Sequence, residues 1–339
     1  MTARCKLGLI LLAVMLTGIT ASAAEFTFDY QKLLDVDKPI SLTLNYVQGD
    51  VTISRGEQGR LVIEAVKTVR ASSREEAEEV ADHIEIKVGH SGDRVTINTN
   101  FLRMVNRSSS FWSKLLGSGD DSFGTISYRI LLPVAADIEL NGSAGSVDIT
   151  GNVGSVRITN GVAEAINISD NFGPVSVVAD AAMVNLSSIE GELVIQNGSG
   201  ITRGEFLMGP VTVRQPRGEI DLQWVEGDIT VKSQSGKVHI KQLRGAADLL
   251  TSSGQVEIET ELDSPGQYTV ETTSGEILFS VPVTASGKLD IETRAGEIKT
   301  EMPVAIKSMT RSRLEGEFGG GGAKVILMSS TGDVTVAQF

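Results

Sequence analysis

Eight glycines, Gly191, Gly200, Gly209, Gly218, Gly227, Gly236, Gly245 and Gly254, stand nine residues apart without a break. Only 36 of the 339 residues are glycine, so seven further hits in register mark the chain as a repeat protein. The unit reads glycine, variable, aliphatic, variable, aliphatic, then four residues to the next glycine. Gly218, Ile220 and Leu222 form one such unit, and Gly236, Val238 and Ile240 form another. Aliphatic residues at alternate positions lie on one face of a short strand, while Asp221 and His239 point the other way. The glycine ahead of each strand admits a turn with positive φ and a close approach of neighbouring backbone.

Consecutive units are not equivalent. Those beginning at Gly191, Gly209, Gly227 and Gly245 end in polar tails, whereas those at Gly200, Gly218 and Gly236 carry Leu207, Val225 and Leu243 seven places on. These three recur every eighteen residues, which predicts a coil of about that length with at least two strand faces and an internal column made of the three. The spacing widens to twenty-one residues from Gly254 to Gly275 and Gly296, and Gly332 opens a last strand ending at Val336. The fold class expected is all-β: a single-stranded, β-helix-like solenoid of about 18–21 residues per coil. From about Asn141 onward there is room for roughly ten coils, a rod of order 50 Å.

The N-terminus has the form of an export signal. Arg4 and Lys6 precede an apolar run from Leu7 to Leu16, and Ala21, Ser22 and Ala23 offer a small-residue cleavage site. Residues 1–23 are therefore read as a signal peptide, and the mature chain as periplasmic or secreted. No later stretch approaches the length of a transmembrane helix. The lone cysteine, Cys5, lies before the apolar run, where it cannot serve as a lipid-attachment site, so the protein is not read as a lipoprotein. Without residues 1–23 the formal charge is about −15, which opposes binding to nucleic acid or anionic lipid.

Residues 24–135 are β-rich but less periodic, and they are expected to cap the solenoid of residues 136–339. The cap contains one short helix: Ser73 and Glu76 have capping-box spacing, and Ala77, Val80, Ala81 and Ile84 fall on one side of the turn pattern that follows. An uncovered solenoid end would expose unpaired backbone groups. Within the cap the β pattern stops over 101–124, a stretch read as a flexible loop. Its Phe111 and Trp112 are candidate contacts to a partner or membrane surface, set against the plainer reading that Trp112 folds back onto the cap.

Little reactive chemistry is legible. His83, His90 and His239 have no metal-ligand spacing, and no nucleophile elbow or His-Glu-x-x-His motif occurs. Gly319 to Gly322 precede a strand and not a helix, so they read as a corner or flexible bulge and not as a phosphate loop. The units carry one glycine each and lack the regular aspartate of calcium-binding nonapeptides. No cofactor is expected. Outward carboxylates such as Asp221, Asp228, Asp248 and Glu257 leave open a polysaccharide lyase or hydrolase on the same scaffold.

Several motifs carry a family resemblance: the unit from Gly49 to Ile53, the helix from Ser73 to Val80, Tyr128 to Pro133 leading into Leu140 to Ile149, and the closing stretch Gly319–Gly322 with Ile326 to Val336. With these the chain resembles the bacterial putative-adhesin family of β-strand-repeat domains, a domain of unknown function. That resemblance implies a β-helix-like solenoid with no established catalytic residues. The expectation is a non-enzymatic envelope protein whose polar rows bind an envelope protein or a glycan.

Overall fold

The computed structural model describes residues 24–101, 124–133 and 135–339. Phe111 and Trp112, with the rest of the loop expected between Phe101 and Gly124, lie outside the described residues, as does the predicted signal peptide.

Each coil contributes one strand to each of two faces. The regular coils begin with β8 (Ala136–Ala144) and β9 (Val147–Thr150), followed by β10 (Val156–Phe172) and β11 (Val175–Glu190), each of which covers both faces in one coil. Next come β12 (Leu193–Asn197) with β13 (Ser199–Met208), β14 (Val211–Glu226), β15 (Ile229–Ser235) with β16 (Val238–Arg244), and β17 (Ala247–Thr251) with β18 (Val256–Thr260). On one face, face A, Val175, Leu193, Val211, Ile229 and Ala247 stand in parallel register. On the other, face B, Ile220, Val238 and Val256 do the same. The nine-residue glycine period is therefore half a coil, with successive units on alternate faces. Inward aliphatics from the two faces meet in one continuous core.

The glycines form two columns, one at each corner of the coil. A Cβ at Gly236 would overlap the carbonyl oxygen of Gly218 one coil away, and one at Gly227 would overlap that of Gly209. Both residues also have positive φ, at 127° and 157°. Sterics and dihedral thus demand glycine together. Buried amides complete the corners: Gln215 Nε2 donates to the carbonyls of Gly200 (3.1 Å) and Glu219 (3.0 Å), and Gln242 Nε2 donates to those of Gly227 (2.9 Å) and Ala246 (3.1 Å). These bonds tie each buried side-chain amide to the backbone carbonyls on either side of the corner.

The predicted internal column is two-thirds correct. Leu207 and Val225 are in register and buried, but Leu243 is not their neighbour. Val225 pairs with Gln242, which is buried in its place, while Leu243 is only half-buried. The cause lies one residue earlier in the coil. Asp170, Ser188, Phe206 and Trp224, eighteen residues apart, all adopt left-handed φ between 53° and 58°, and Gln242, next in the series, does not. Without that kink the register slips and the following side chain turns away from the core.

Both ends of the stack are interleaved. Near the N-terminus, β2 (Ile40–Asn45) and β3 (Val51–Arg55) form a coil directly against β8 and β9. A later coil, β6 (Arg94–Phe101) with β7 (Gly124–Leu132), stacks outside it. At the far end, β19 (Gln267–Thr272) and β20 (Ile277–Val281) pair with β25 (Ala323–Ser329) and β26 (Val334–Gln338), the last coil of the chain. That coil in turn pairs with the earlier β21 (Gly287–Thr293) and β22 (Ile298–Thr300), which end the stack. The excursion runs through the antiparallel pair β23 (Ala305–Met309) and β24 (Arg313–Phe318), and Gly319 to Gly322, all at positive φ, turn it back. This four-glycine run is a corner, as expected.

Antiparallel strands cover both ends. β4 (Arg60–Ala71) lies on β7 and β1 (Ala24–Asp35) on the other edge of β4, β5 (Ile84–Ser91) lies on β6, and β24 lies on β21. Helix α1 (Arg74–Asp82) sits on β4 with Ala77, Val80 and Ala81 buried. Its N-cap Ser73 Oγ accepts from Glu76 N at 3.2 Å, and the Glu76 carboxylate reaches back to Ser72 N at 3.2 Å, one residue beyond the N-cap that the capping box implies.

Candidate binding surface

Face B carries its outward side chains in register. Asn185 pairs with Arg203, Arg203 with Asp221, Asp221 with His239, and His239 with Glu257. The row that alternation predicted from Asp221, His239 and Glu257 is thus brought together on adjacent strands. Within it, His239 Nδ1 is 3.1 Å from Asp221 Oδ1, and Gln223 Nε2 donates to the same Asp221 oxygen at 2.6 Å. Toward the N-terminal end, Asn185 Nδ2 donates to Asn167 Oδ1 (2.8 Å), and Asn167 Nδ2 donates to Asp148 Oδ1 (2.7 Å). This hydrogen bonding falls into two runs along the rod, Asp148–Asn167–Asn185 and Asp221 with Gln223 and His239, with Arg203 in register between them. It holds polar groups at the interstrand spacing and limits their rotamers before any ligand arrives.

At the corner that follows face B, the left-handed column places Phe206 and Trp224 in solvent, 54% and 40% exposed. Beside them Phe172, Glu190, Met208, Glu226 and Arg244 stand in register. Phe172 and Met208 are about half-exposed. Lys241 Nζ sits 4.5 Å from the Trp224 ring centroid and 3.4 Å from Glu259 Oε2, so the ring is braced by a cation that is itself paired. Arg244 pairs with Glu226. Sequence reasoning passed over these residues because it counted the buried Leu207 and Val225. The signal was the aromatic immediately preceding each, again eighteen residues apart.

The perturbed titratable groups lie elsewhere and act structurally. Burial pushes Tyr46 and Tyr128 up to about 12. The Tyr46 hydroxyl accepts from buried Asn160 Nδ2 at 3.2 Å, and that of Tyr128 lies 2.6 Å from Thr99 Oγ1. Asp137 is held below the ordinary carboxylate range by the hydroxyl and backbone N–H of Ser155. Asp333 is lowered by the backbone N–H of Glu297 and by Lys299. Both aspartates clasp the next coil at a glycine corner, and Asp50 and Asp228 make the same bond to Ser146 N (2.9 Å) and Ala246 N (2.8 Å).

His83 and His90 bond locally, to the carbonyls of Glu79 and Gly92, far from His239 in the chain. Among the described residues no group of three or more His, Cys, Asp or Glu could hold a metal ion, and no helix is long and apolar enough to cross a membrane. Shallow grooves run between outward rows, such as the one bounded by Asn167, Asn185, Arg203 and Glu205.

Among solved structures the chain is similar to a putative adhesin from Parabacteroides merdae at 10% identity, covering 92% of this chain and 96% of that one with a TM-score of 0.29. It is also similar to a putative adhesin from Parabacteroides distasonis, at 12% identity, 92% and 97% coverage and a TM-score of 0.27. A putative cell adhesion protein from Clostridium sporogenes gives 13% identity, 93% and 100% coverage and a TM-score of 0.22. No curated protein matches the chain. The sequence profile of one family, described as Toastrack DUF4097, matches residues 38–337, nearly the whole of the stack just described. The chain belongs to the Toastrack DUF4097 family.

Proposed function

We propose that this protein is an exported, non-enzymatic component of the cell envelope, which works by presenting the rigid outer surface of its solenoid to envelope proteins or glycans. The observation that carries this reading is the register of the outward side chains on face B, from Asn185 through Arg203, Asp221 and His239 to Glu257. Backbone hydrogen bonds fix these groups at a constant spacing, so little ordering entropy remains to be lost on binding. Modest contacts along a row then add because the scaffold has already set their geometry. The basic and apolar N-terminal segment supports export, with the mature chain beginning at Ala24 or Glu25.

Purified mature protein, immobilised and exposed to an envelope fraction from the producing cell, tests the reading. Replacing Asp221 by Lys, His239 by Glu and Glu257 by Lys together should reduce capture at least about tenfold. If this row and every other outward row can be scrambled with capture unchanged, surface presentation is wrong. Polysaccharide cleavage is the second reading, favoured by the Asp221 carboxylate beside the His239 imidazole. New reducing ends or unsaturated products from acidic glycans, with or without calcium, would replace the first reading with this one.

A further inference from the structure

Phe206 and Trp224 break two rules at once. Large aromatic side chains avoid left-handed backbone, where asparagine, aspartate and glycine are the tolerated residues, and they are usually buried. Here φ is 55° and 58°, and both rings are about half-exposed. The corner itself does not require them, because Asp170 and Ser188 occupy the same position in neighbouring coils. Strain retained by half-exposed aromatics, at a position where other coils carry a small polar residue, points to a function for the side chain.

The shape and charge of this corner narrow what it can hold. Phe206, Met208 and Trp224 form a ridge, one or two residues wide, along the rod axis, and Phe172 continues its line beyond the intervening Glu190. Its exposed apolar area is on the order of 400 Å², half of what each partner contributes to a standard protein interface. A single extended polymer strand needs no more. Glu190 and Glu226, the latter paired with Arg244, alternate with the apolar groups in the same column, and the whole chain carries a formal charge of −13. That field repels an acidic polymer, while the carboxylates accept hydrogen bonds from hydroxyl groups. Successive ridge positions repeat at about 4.8 Å, close to the residue repeat of an extended β-linked glycan.

We infer that this ridge is a binding site for a neutral, linear β-linked polysaccharide lying parallel to the rod axis, its sugar faces stacked on Phe206 and Trp224 and its hydroxyl groups bonded to Glu190 and Glu226. The inference rests on the surface-presentation reading above and names one ligand class and one place for it. Lys241 holds the Trp224 ring in orientation from one side.

Cellohexaose and laminarihexaose, as neutral probes, and an oligogalacturonate hexamer, as the acidic one, are titrated into the mature chain by calorimetry. The variants are Trp224→Asn, Phe206→Asn and the pair together. Asparagine suits the left-handed position, so each variant should fold with an unchanged or higher melting temperature. A neutral hexamer should bind the parent protein, each single variant should weaken it at least about tenfold, and the acidic hexamer should bind more weakly. The inference is overturned if no neutral hexamer binds, if the double variant binds as the parent does, or if the acidic hexamer is preferred. The same variants are then run in the envelope-capture assay. Capture retained by the double variant but lost on scrambling the face B row removes the polysaccharide ridge and leaves surface presentation standing. Capture indifferent to both removes both.

Discussion

At the scale of single residues, glycine and the left-handed corner set opposite demands. At Gly236 the backbone of the neighbouring coil occupies the place of a Cβ, so Gly236→Ala forces two coils apart at an otherwise hydrogen-bonded corner. We expect a loss of about 3 kcal/mol or more by denaturant titration of residues 24–339. Gly59→Ala, at positive φ but with nothing near the added carbon, should cost only about 1 kcal/mol. At Trp224 the demand is reversed. Trp224→Asn should leave stability unchanged or raise it by up to about 1 kcal/mol, because relief of strain offsets the loss of a half-exposed ring. A clear fall in melting temperature would mean that the ring is held for packing and not for a ligand.

At the scale of elements, strands are joined by ladders and, at their corners, by carboxylates. Asp137 and Asp333 accept backbone N–H bonds from the next coil and have folded pKa values below the ordinary aspartate value. A group depressed in this way contributes stability that is present above its unfolded pKa and is lost as pH falls through its folded one. The melting temperature should therefore be flat near neutrality and fall below about pH 4. The double variant Asp137→Asn and Asp333→Asn should show a shallower fall, and an equally steep one would assign the acid sensitivity to other carboxylates. Strand assignment was legible wherever aliphatics alternate, as in Val238 and Ile240. The helix was legible from Ser73 and Glu76, which do cap it. The misplaced Leu243 was not, because its position depends on whether the residue ahead of it adopts left-handed φ, and nothing in Gln242 itself announces that it will not.

At the scale of the whole molecule, the stack closes by inserting its last coil between two earlier ones. β25 bonds β19 on one side and β21 on the other, so β21 to β24 reach the rest of the fold largely through strands made after them. Removal of residues 322–339 should leave the preceding coils folded and strip 287–318 of their parallel neighbour. Limited proteolysis should then cleave within 287–318 at least about tenfold faster than in the full chain, with the region before Thr260 still protected. Equal protection throughout would show that β21 can dock directly on β19. Equivalent repeats are what make this order invisible in a sequence: each short parallel strand with two inward aliphatics fits against any other of its kind.

What the sequence determined by itself was the unit and its winding. Glycine spacing sets the corner, alternation sets the inward face, and both act within a dozen residues, where local sterics and hydrophobic burial suffice. Only the tertiary structure decided which coils are neighbours, which corner residues kink to the left and hence which aromatics reach solvent. These depend on register between strands far apart in the chain, a property of the assembled stack and of no single repeat.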